Sequence, residues 1–226
     1  MLKLIYKHME KKIIVTGDGS KTIYLPDLDE TYHSRHGAVQ ESQHVFIDSG
    51  LELYKNKNSV KIFELGFGTG LNCLLTHTWS AKRDIKIEYT SIEKYPVKEE
   101  DLKTLYAEYD QNDILNILHK SNWEEEVELN NNFTLLKLEG DISELKCEAE
   151  QFDLVYYDAF GPNTQPELWT IKTLEVIHEI MKPKGVLVTY CAQGQFKRNL
   201  KELNFELESI PGPPGKREMT RAIKRC

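Results

Sequence analysis

The run Val60-Lys61-Ile62-Phe63-Glu64-Leu65, followed at once by Gly66-Phe67-Gly68-Thr69-Gly70, limits the fold more than any other feature of this chain. The first six residues are apolar and rich in β-formers, which reads as a buried strand. Glycines at 66, 68 and 70 let the backbone turn sharply and approach a ligand with no Cβ in the way. Leu71 to Trp79 then has the pattern of a helix. A strand that turns through glycine into a helix is the opening unit of a doubly wound α/β sheet. There the loop cradles a ligand at the helix N-terminus.

The details of the loop sort the candidate ligands. A dinucleotide fingerprint requires Gly or Ala at position 71, where this chain has Leu71. A Walker phosphate loop requires Gly-Lys-Ser/Thr at its end, and none is present. The GxGxG form, with Glu64 two residues ahead of it, fits S-adenosylmethionine better than NAD. A plain glycine-rich turn is the bland alternative.

The rest of the chain alternates in the same sense. Residues 85–92, 133–138, 152–157 and 185–191 read as further strands, with helices over 71–79, 168–181 and 196–203 and a helix start near Pro96 and Glu99-Glu100-Asp101. Strands alternating with helices imply a parallel sheet covered on both faces. Residues 205–210 and 219–223 flank Pro211-Gly212-Pro213-Pro214-Gly215 and read as a closing hairpin. Ahead of the core, 12–15 and 22–25 read as a small hairpin about Gly17-Asp18-Gly19-Ser20, with a helix following that buries Val39, Val45 and Phe46 and ends near Gly50. Residues 116–132 are polar, with Trp123 isolated among acids, and read as a long connection or insertion. The expected organisation is one domain over 1–226, with a hairpin and lead-in segment at 12–50 and a Rossmann-like core at 58–226.

Carboxylates close three of the strands. Glu93 ends the second core strand beside the glycine loop, where it can accept from both ribose hydroxyls; a solvated strand-end acid is the alternative. Asp141, after the third, can accept from an adenine amino group or simply cap the next helix. Asp158 ends the fourth in Tyr156-Tyr157-Asp158-Ala159-Phe160-Gly161-Pro162. Open α/β sheets bind ligands at C-terminal strand ends, where the strand order reverses. That rule sets Asp158 across the crevice from Gly66–Gly70, near a bound sulfonium, unless it only caps a turn.

Composition narrows the setting. A chain of 226 residues with 40% hydrophobic and 29% charged residues is long enough to bury a core and is not disordered. No stretch approaches a membrane helix, and Met1–Lys12 lacks the apolar and small-residue regions of a signal peptide; Met9 is an alternative start. Cys73, Cys147, Cys191 and Cys226 have no metal or redox spacing, so no metal is expected and a reducing cytoplasm is the default. The net charge of −7 is unevenly spread. Residues 99–153 carry 16 acidic and 4 basic side chains, residues 182–226 carry 10 basic and 4 acidic. Lys197, Arg198, Lys216, Arg217, Arg221, Lys224 and Arg225 could therefore form one phosphate-facing surface on an acidic protein, or an ordinary solvated face.

Together these residues resemble a known family. Tyr32-His33-Ser34, Gly37-Ala38, Glu41-Ser42 and Val45-Phe46 are similar to the N-terminal segment of the MnmC methyltransferase family, and Gly66 to Asn72 is similar to its cofactor loop. Glu93-Lys94-Tyr95-Pro96, Asp158 to Pro162, Pro166 to Thr170 and Gly215-Lys216-Arg217-Glu218-Met219 resemble further motifs of it. The likeness covers most of residues 13–224. It implies a Rossmann-like class I S-adenosylmethionine-dependent methyltransferase fold: a doubly wound, mostly parallel sheet with a C-terminal antiparallel hairpin and a small N-terminal β-hairpin. It implies methyl transfer from S-adenosylmethionine to the aminomethyl nitrogen on C5 of wobble uridine, in the anticodon loop of tRNA. Tyr32, Ser34, Glu41, Glu64, Gly66, Phe67, Gly68, Gly70, Asn72, Glu93, Lys94, Asp141 and Asp158 are then the expected cofactor residues. Asp158 is the expected catalytic residue, and Phe160, Pro162, Trp169, Lys216 and Arg217 are expected on the substrate side. Tyr32, Phe67, Phe160 and Trp169 are aromatic candidates to stack on the base, each with a core role as the alternative.

Gly161-Pro162 and Thr164 to Trp169 depart from the usual family residues at these positions, which bears on the shape of the base pocket. Two-domain members also carry a flavin oxidoreductase domain; for this chain the expectation is methyl transfer only, with no flavin. A polyamine-type aminopropyltransferase shares the fold, the loop and an acidic fourth-strand end, and a non-catalytic nucleotide-fold module is a third reading. The N-terminal segment and residues 216–219 disfavour the second; the joint presence of Glu93, Asp141 and Asp158 disfavours the third.

Overall fold

The computed structural model describes residues 9–106 and 113–226. Residues 1–8, on which part of the start-site reading falls, lie outside the described residues. The central element is an eight-stranded sheet in the order β10-β11-β9-β8-β4-β5-β7-β6. Its parallel middle comprises β4 (Ser59–Leu65), β5 (Lys86–Glu93), β7 (Phe133–Glu139), β8 (Phe152–Tyr157) and β9 (Met181–Thr189). The outer strands β6 (Glu126–Asn130), β10 (Phe205–Pro211) and β11 (Glu218–Lys224) run antiparallel to their neighbours.

The near-continuous apolar strands follow from burial on both faces. Along β4 and β8 the side chains alternate. Ile62, Leu154 and Tyr156 enter one layer with Phe46, Cys73, Trp79, Tyr89 and Leu118. Phe63, Leu65, Val155 and Tyr157 enter the other with Trp169, Leu174, Ile177, Phe196 and Leu200. The first layer is covered by α2 (Leu71–Ala81) and α4 (Asp113–Lys120), the second by α5 (Ile171–Ile180) and α6 (Gly194–Glu202). α5 begins at Thr170, whose hydroxyl accepts from the Thr173 backbone N–H, and Pro166 starts the single 3-10 turn before it.

The N-terminal hairpin forms as expected from β1 (Lys12–Val15) and β2 (Lys21–Leu25), and a short β3 (Glu30–Thr31) joins it. Ile23 and Leu25 of this small sheet pack with Leu105 of α3 (Glu99–Tyr106). The helix that follows is α1 (Ala38–Ser42), which runs on as a wider π turn over Gln43–Asp48 and buries Val45, Phe46 and Ile47; Val39 is only half-buried.

The reading of 116–132 as a connection is corrected. α4 and β6 occupy most of it, and β6 forms a hairpin with β7. The acids of Glu126-Val127-Glu128 alternate outward on an edge strand, a pattern that the local excess of charge disguises. Trp123 is not isolated: its ring meets Phe67 edge-on at 6.0 Å, and Lys137 Nζ stands 4.8 Å above it.

Candidate active site

Three elements converge at the C-terminal edge of the parallel strands. β4 delivers the glycine loop, β5 delivers Glu93, and β8 delivers Asp158. β4 pairs with β8 on one side and β5 on the other, so all three ends are neighbours. The Asp158 backbone N–H donates to Leu65 O at 3.1 Å, and Gly66 N–H donates to Ile92 O at 2.9 Å. This stitching explains Gly66. Its φ is +95°, and a Cβ there would lie 2.6 Å from the Asp158 carbonyl oxygen. Any other side chain would push the two strand exits apart.

Above these ends lies a cavity of about 360 Å³, within the range of small-molecule sites. Tyr32, Ser34, Glu41, Gly66, Glu93, Lys94, Asp141, Asp158, Phe160 and Lys216, all expected from sequence, line it. The N-terminal segment roofs it: Glu41, buried, accepts from the Ser34 backbone N–H at 2.8 Å and from Lys216 Nζ at 2.8 Å. Lys216 Nζ also stands 3.8 Å from the Tyr190 ring centroid. Tyr32 and Phe160 meet edge to face at 5.1 Å.

Glu93 serves the loop itself. One oxygen accepts from Gly68 N–H at 3.1 Å and the other from Tyr95 N–H at 2.8 Å. Each oxygen keeps a second lone pair that can accept a ligand hydroxyl. Burial raises the Glu93 carboxyl above the usual carboxylate range, against the pull of these backbone bonds. Asp141 caps the 3-10 turn Ile142–Glu144, accepting from Ser143 N–H at 2.9 Å, and pairs with Lys94 Nζ at 2.6 Å. The capping role weighed from sequence is thus real, and it coexists with a place on the cavity wall.

Asp158 stands half-buried on the cavity. Its Oδ2 accepts from Asn72 Nδ2 at 2.8 Å. Burial pushes its carboxyl up to about 7, with the nearby Glu41 charge adding to the rise and Asn72 and Lys216 opposing it. A carboxylate held there can hold or release a proton near neutral pH.

Several expected residues do not reach the cavity. Glu64 is fully buried beneath the loop, held by Asn72 Nδ2 at 3.0 Å and Ser91 Oγ at 2.8 Å. Asn72 is buried between Glu64 and Asp158. Phe67 points behind the loop against His119 and Trp123, and Gly70 abuts Phe67 and His119. Gly68 lines a separate recess of about 110 Å³ on that side. Trp169 is corrected from a stacking candidate to a core residue: it is 5% exposed, packs on Tyr157 and Phe196, and its Nε1 donates to Phe160 O at 2.8 Å. Its bulk needs the dry second layer, and its N–H finds a backbone acceptor there. Pro162 and Arg217 are not part of the lining, and Arg217 is exposed.

The single basic surface also needs correction. Lys224 is buried, its Nζ donating to Met181 O and His178 O. Lys197, Arg221 and Arg225 pair with Glu218, Glu208 and Glu206, and Lys216 turns to Glu41. Acids of the same hairpin neutralise much of the excess that a linear count assigns to it.

Sequence reading missed Glu30, His33, Gln165, Glu167 and Tyr190 in the lining. Tyr190 follows directly on β9, and the rule that ligands gather at C-terminal strand ends identifies it. Glu30 sits in a two-residue strand, Gln165 in a loop and Glu167 in a 3-10 turn, and none carries a comparable signal. Among the described residues, no group of three or more His, Cys, Asp or Glu side chains is arranged to hold a metal ion, and no helix is long and apolar enough to cross a membrane.

The fold and the cradle are those of one enzyme class. A family model of S-adenosyl-L-methionine-dependent methyltransferases matches residues 102–225, and the chain belongs to that family. The residues suit the cofactor: a glycine turn that reaches the cavity at Gly66, an acceptor carboxylate at Glu93, and an acid-rich wall for a sulfonium.

Particular relatives are more specific. The chain is 31% identical over 230 residues to the tRNA 5-methylaminomethyl-2-thiouridine biosynthesis bifunctional protein MnmC of Cupriavidus metallidurans, covering 92% of this chain and 33% of that protein. It is 32% identical over 212 residues to the protein of the same name from Aromatoleum aromaticum, covering 87% and 33%. The chain spans about a third of the length of these curated relatives. The crystal structure of MNMC2 from Aquifex aeolicus superposes with a TM-score of 0.74 at 29% identity, covering 98% of this chain and 74% of that one.

Proposed function

We propose that this chain transfers the methyl group of S-adenosylmethionine to the aminomethyl nitrogen on C5 of wobble uridine in tRNA, in the cytoplasm. The names of the relatives support the substrate, since they place those proteins in the biosynthesis of a 5-methylaminomethyl uridine. The observation that carries the reading is Asp158, a partly desolvated carboxylate between the glycine loop and a cavity walled by acids. An aminopropyltransferase and a non-catalytic module are not favoured, because the chain matches a methyltransferase family.

When bound, S-adenosylmethionine supplies an electrophilic methyl group on a sulfonium. The chain's own work is to hold, align and deprotonate. The backbone at Gly66 and the Glu93 carboxylate would hold the methionine and ribose parts, with Asp141 and Lys94 near the adenine. An alkylammonium with a pKa of ~10 is mostly protonated at neutral pH and cannot attack. Asp158 would accept a hydrogen bond from the amine and take its proton, directly or through water. Alignment of nitrogen, methyl and sulfur can supply ~7–11 kcal/mol of the barrier reduction. Tyr32 and Phe160 would flank the base, which a single-stranded loop presents at little unstacking cost.

Incubation with labelled S-adenosylmethionine and bulk tRNA from cells lacking the modification tests this. Label should enter tRNA and co-migrate with a methylaminomethyl nucleoside after digestion. Label transfer to a diamine from the decarboxylated cofactor, or cofactor binding with no turnover, would overturn the proposal.

A further inference from the structure

We infer that Asn72 and Glu64 are positioning residues for Asp158: one buried amide bridges the two carboxylates, Glu64 keeps its proton at neutral pH, and Asp158 remains the base of the pair. The inference rests on the proposed role of Asp158 in taking the substrate's proton.

The bridge is geometric. Asn72, in the first turn of α2, is 3% exposed, and its Nδ2 donates to Glu64 Oε1 at 3.0 Å and to Asp158 Oδ2 at 2.8 Å. An amide nitrogen has two hydrogens, and both are committed. The Asn72 Oδ1 is buried with no hydrogen-bond partner. Leaving an acceptor unsatisfied costs free energy, yet flipping the amide would aim that oxygen at two carboxylate oxygens. The two acids therefore fix the orientation of the amide, and the amide fixes which oxygen of Asp158 it occupies. Oδ1 of Asp158 is left as the oxygen that can meet a substrate amine.

The proton belongs on Glu64. That side chain is 0% exposed, and its partners, Asn72 and Ser91, are neutral. No lysine or arginine among the described residues forms an ion pair with it. An unpaired buried charge is expensive, and two linked carboxylates resist ionising together. The neutral acid has an outlet: its hydroxyl can donate to Ser91 Oγ along the existing 2.8 Å contact, while Ser91 donates to Glu64 O at 3.4 Å. Burial pushes Glu64 up to about 8, in accord with this assignment, and Asp158 up to only about 7.

The other titratable neighbours do not disturb the order. Around Glu64, burial raises Cys73, Tyr89 and Tyr156 above their usual values, so they stay neutral. Around Asp158 stand Tyr190, also raised, and the Glu41–Lys216 pair, whose charges offset each other.

The test is the pH dependence of kcat/KM for methyl transfer to tRNA in wild type, Asn72→Leu and Glu64→Gln. Asn72→Leu removes a donor to the ionised form of Asp158, so the acid limb should move up by ~1–2 pH units, with rate recovering as pH rises. Glu64→Gln imitates the neutral acid and should leave that limb in place. A purely structural loss would lower the rate equally at every pH. An unmoved limb in Asn72→Leu overturns the inference, as does a downward shift in Glu64→Gln, which would mean Glu64 had been charged. If Asp158→Asn itself keeps the wild-type limb, the proposed base has failed instead. Carboxyl-carbon NMR of wild-type protein labelled at Glu needs no variant: one side chain should titrate above pH 7. Full ionisation of every Glu by pH 7 also overturns the inference.

Discussion

Gly66→Ala perturbs the point where the two strand exits touch. Two costs add. The residue has φ +95°, and a non-glycine residue in left-handed backbone costs roughly 1–2 kcal/mol. The new methyl would also lie 2.6 Å from the Asp158 carbonyl oxygen, which is backbone and cannot swing aside. Overpacking of this kind costs typically about 1–3 kcal/mol. The sum, about 2–5 kcal/mol, corresponds to a melting temperature lower by roughly 4–20 °C for a chain of this size. Gly19→Ala supplies the control: its φ is +83°, but a Cβ there meets nothing within 4 Å. It should show the strain cost alone, about 1–2 kcal/mol. Thermal melts of both variants, with calorimetric titration of S-adenosylmethionine into each, separate the effects. Gly66→Ala should also lose cofactor affinity, and Gly19→Ala should keep it. Equal destabilisation of the two variants would refute the argument that close approach dictates glycine at 66.

Asp158→Asn keeps shape but loses basicity, so turnover on saturating tRNA should fall ~10²–10⁴-fold with cofactor affinity little changed; near-normal turnover at neutral pH would remove Asp158 as the base. Glu93→Ala removes a half-buried acceptor that also braces Gly68 and Tyr95, and should weaken cofactor binding by about 1.5–3 kcal/mol, measured by calorimetry. Unchanged affinity in a natively folded variant would take Glu93 out of the site. Burial depresses His33 from 6.5 to about 4, while the charges of Glu41 and Asp18 oppose that fall. A depressed histidine stabilises the fold above its unfolded value, and that contribution is lost as pH drops from 6.5 towards 4. His33→Gln should therefore lose less melting temperature than wild type over that interval, and parallel curves would refute the linkage.

Legibility of the fold tracked how far each element's pattern depends on its own residues. β4 and β8 are buried on both faces for most of their length and β5 and β7 bury alternate residues, so their patterns are visible in the sequence, and their bounds match to within a residue or two. β6 is an edge strand whose charged residues face outward, and its pairing with β7 supplies the evidence that its own composition lacks. β3 is two residues long and exists because β2 offers it an edge. The π turn at Gln43–Asp48 likewise leaves no mark in a pattern of period 3.6.

The site divides along the same line. Glu93 and Asp158 were legible because their position at strand ends follows from topology, and topology follows from alternation of strand and helix. The pairings that set their chemistry join distant residues: Lys216 with Glu41, Asn72 with both Glu64 and Asp158, Lys94 with Asp141. A count of charges along the chain reads Lys216 as a surface cation, whereas Glu41 and the Tyr190 ring draw it onto the cavity. The same count cannot tell Glu64 from an ordinary acid, although complete burial makes it a neutral group beneath the loop. Motif residues thus separate by what desolvation does to them. Glu93 and Asp158 stand on the cavity wall, where a ligand can meet them, whereas Glu64 lies beneath it and holds Asn72 in place.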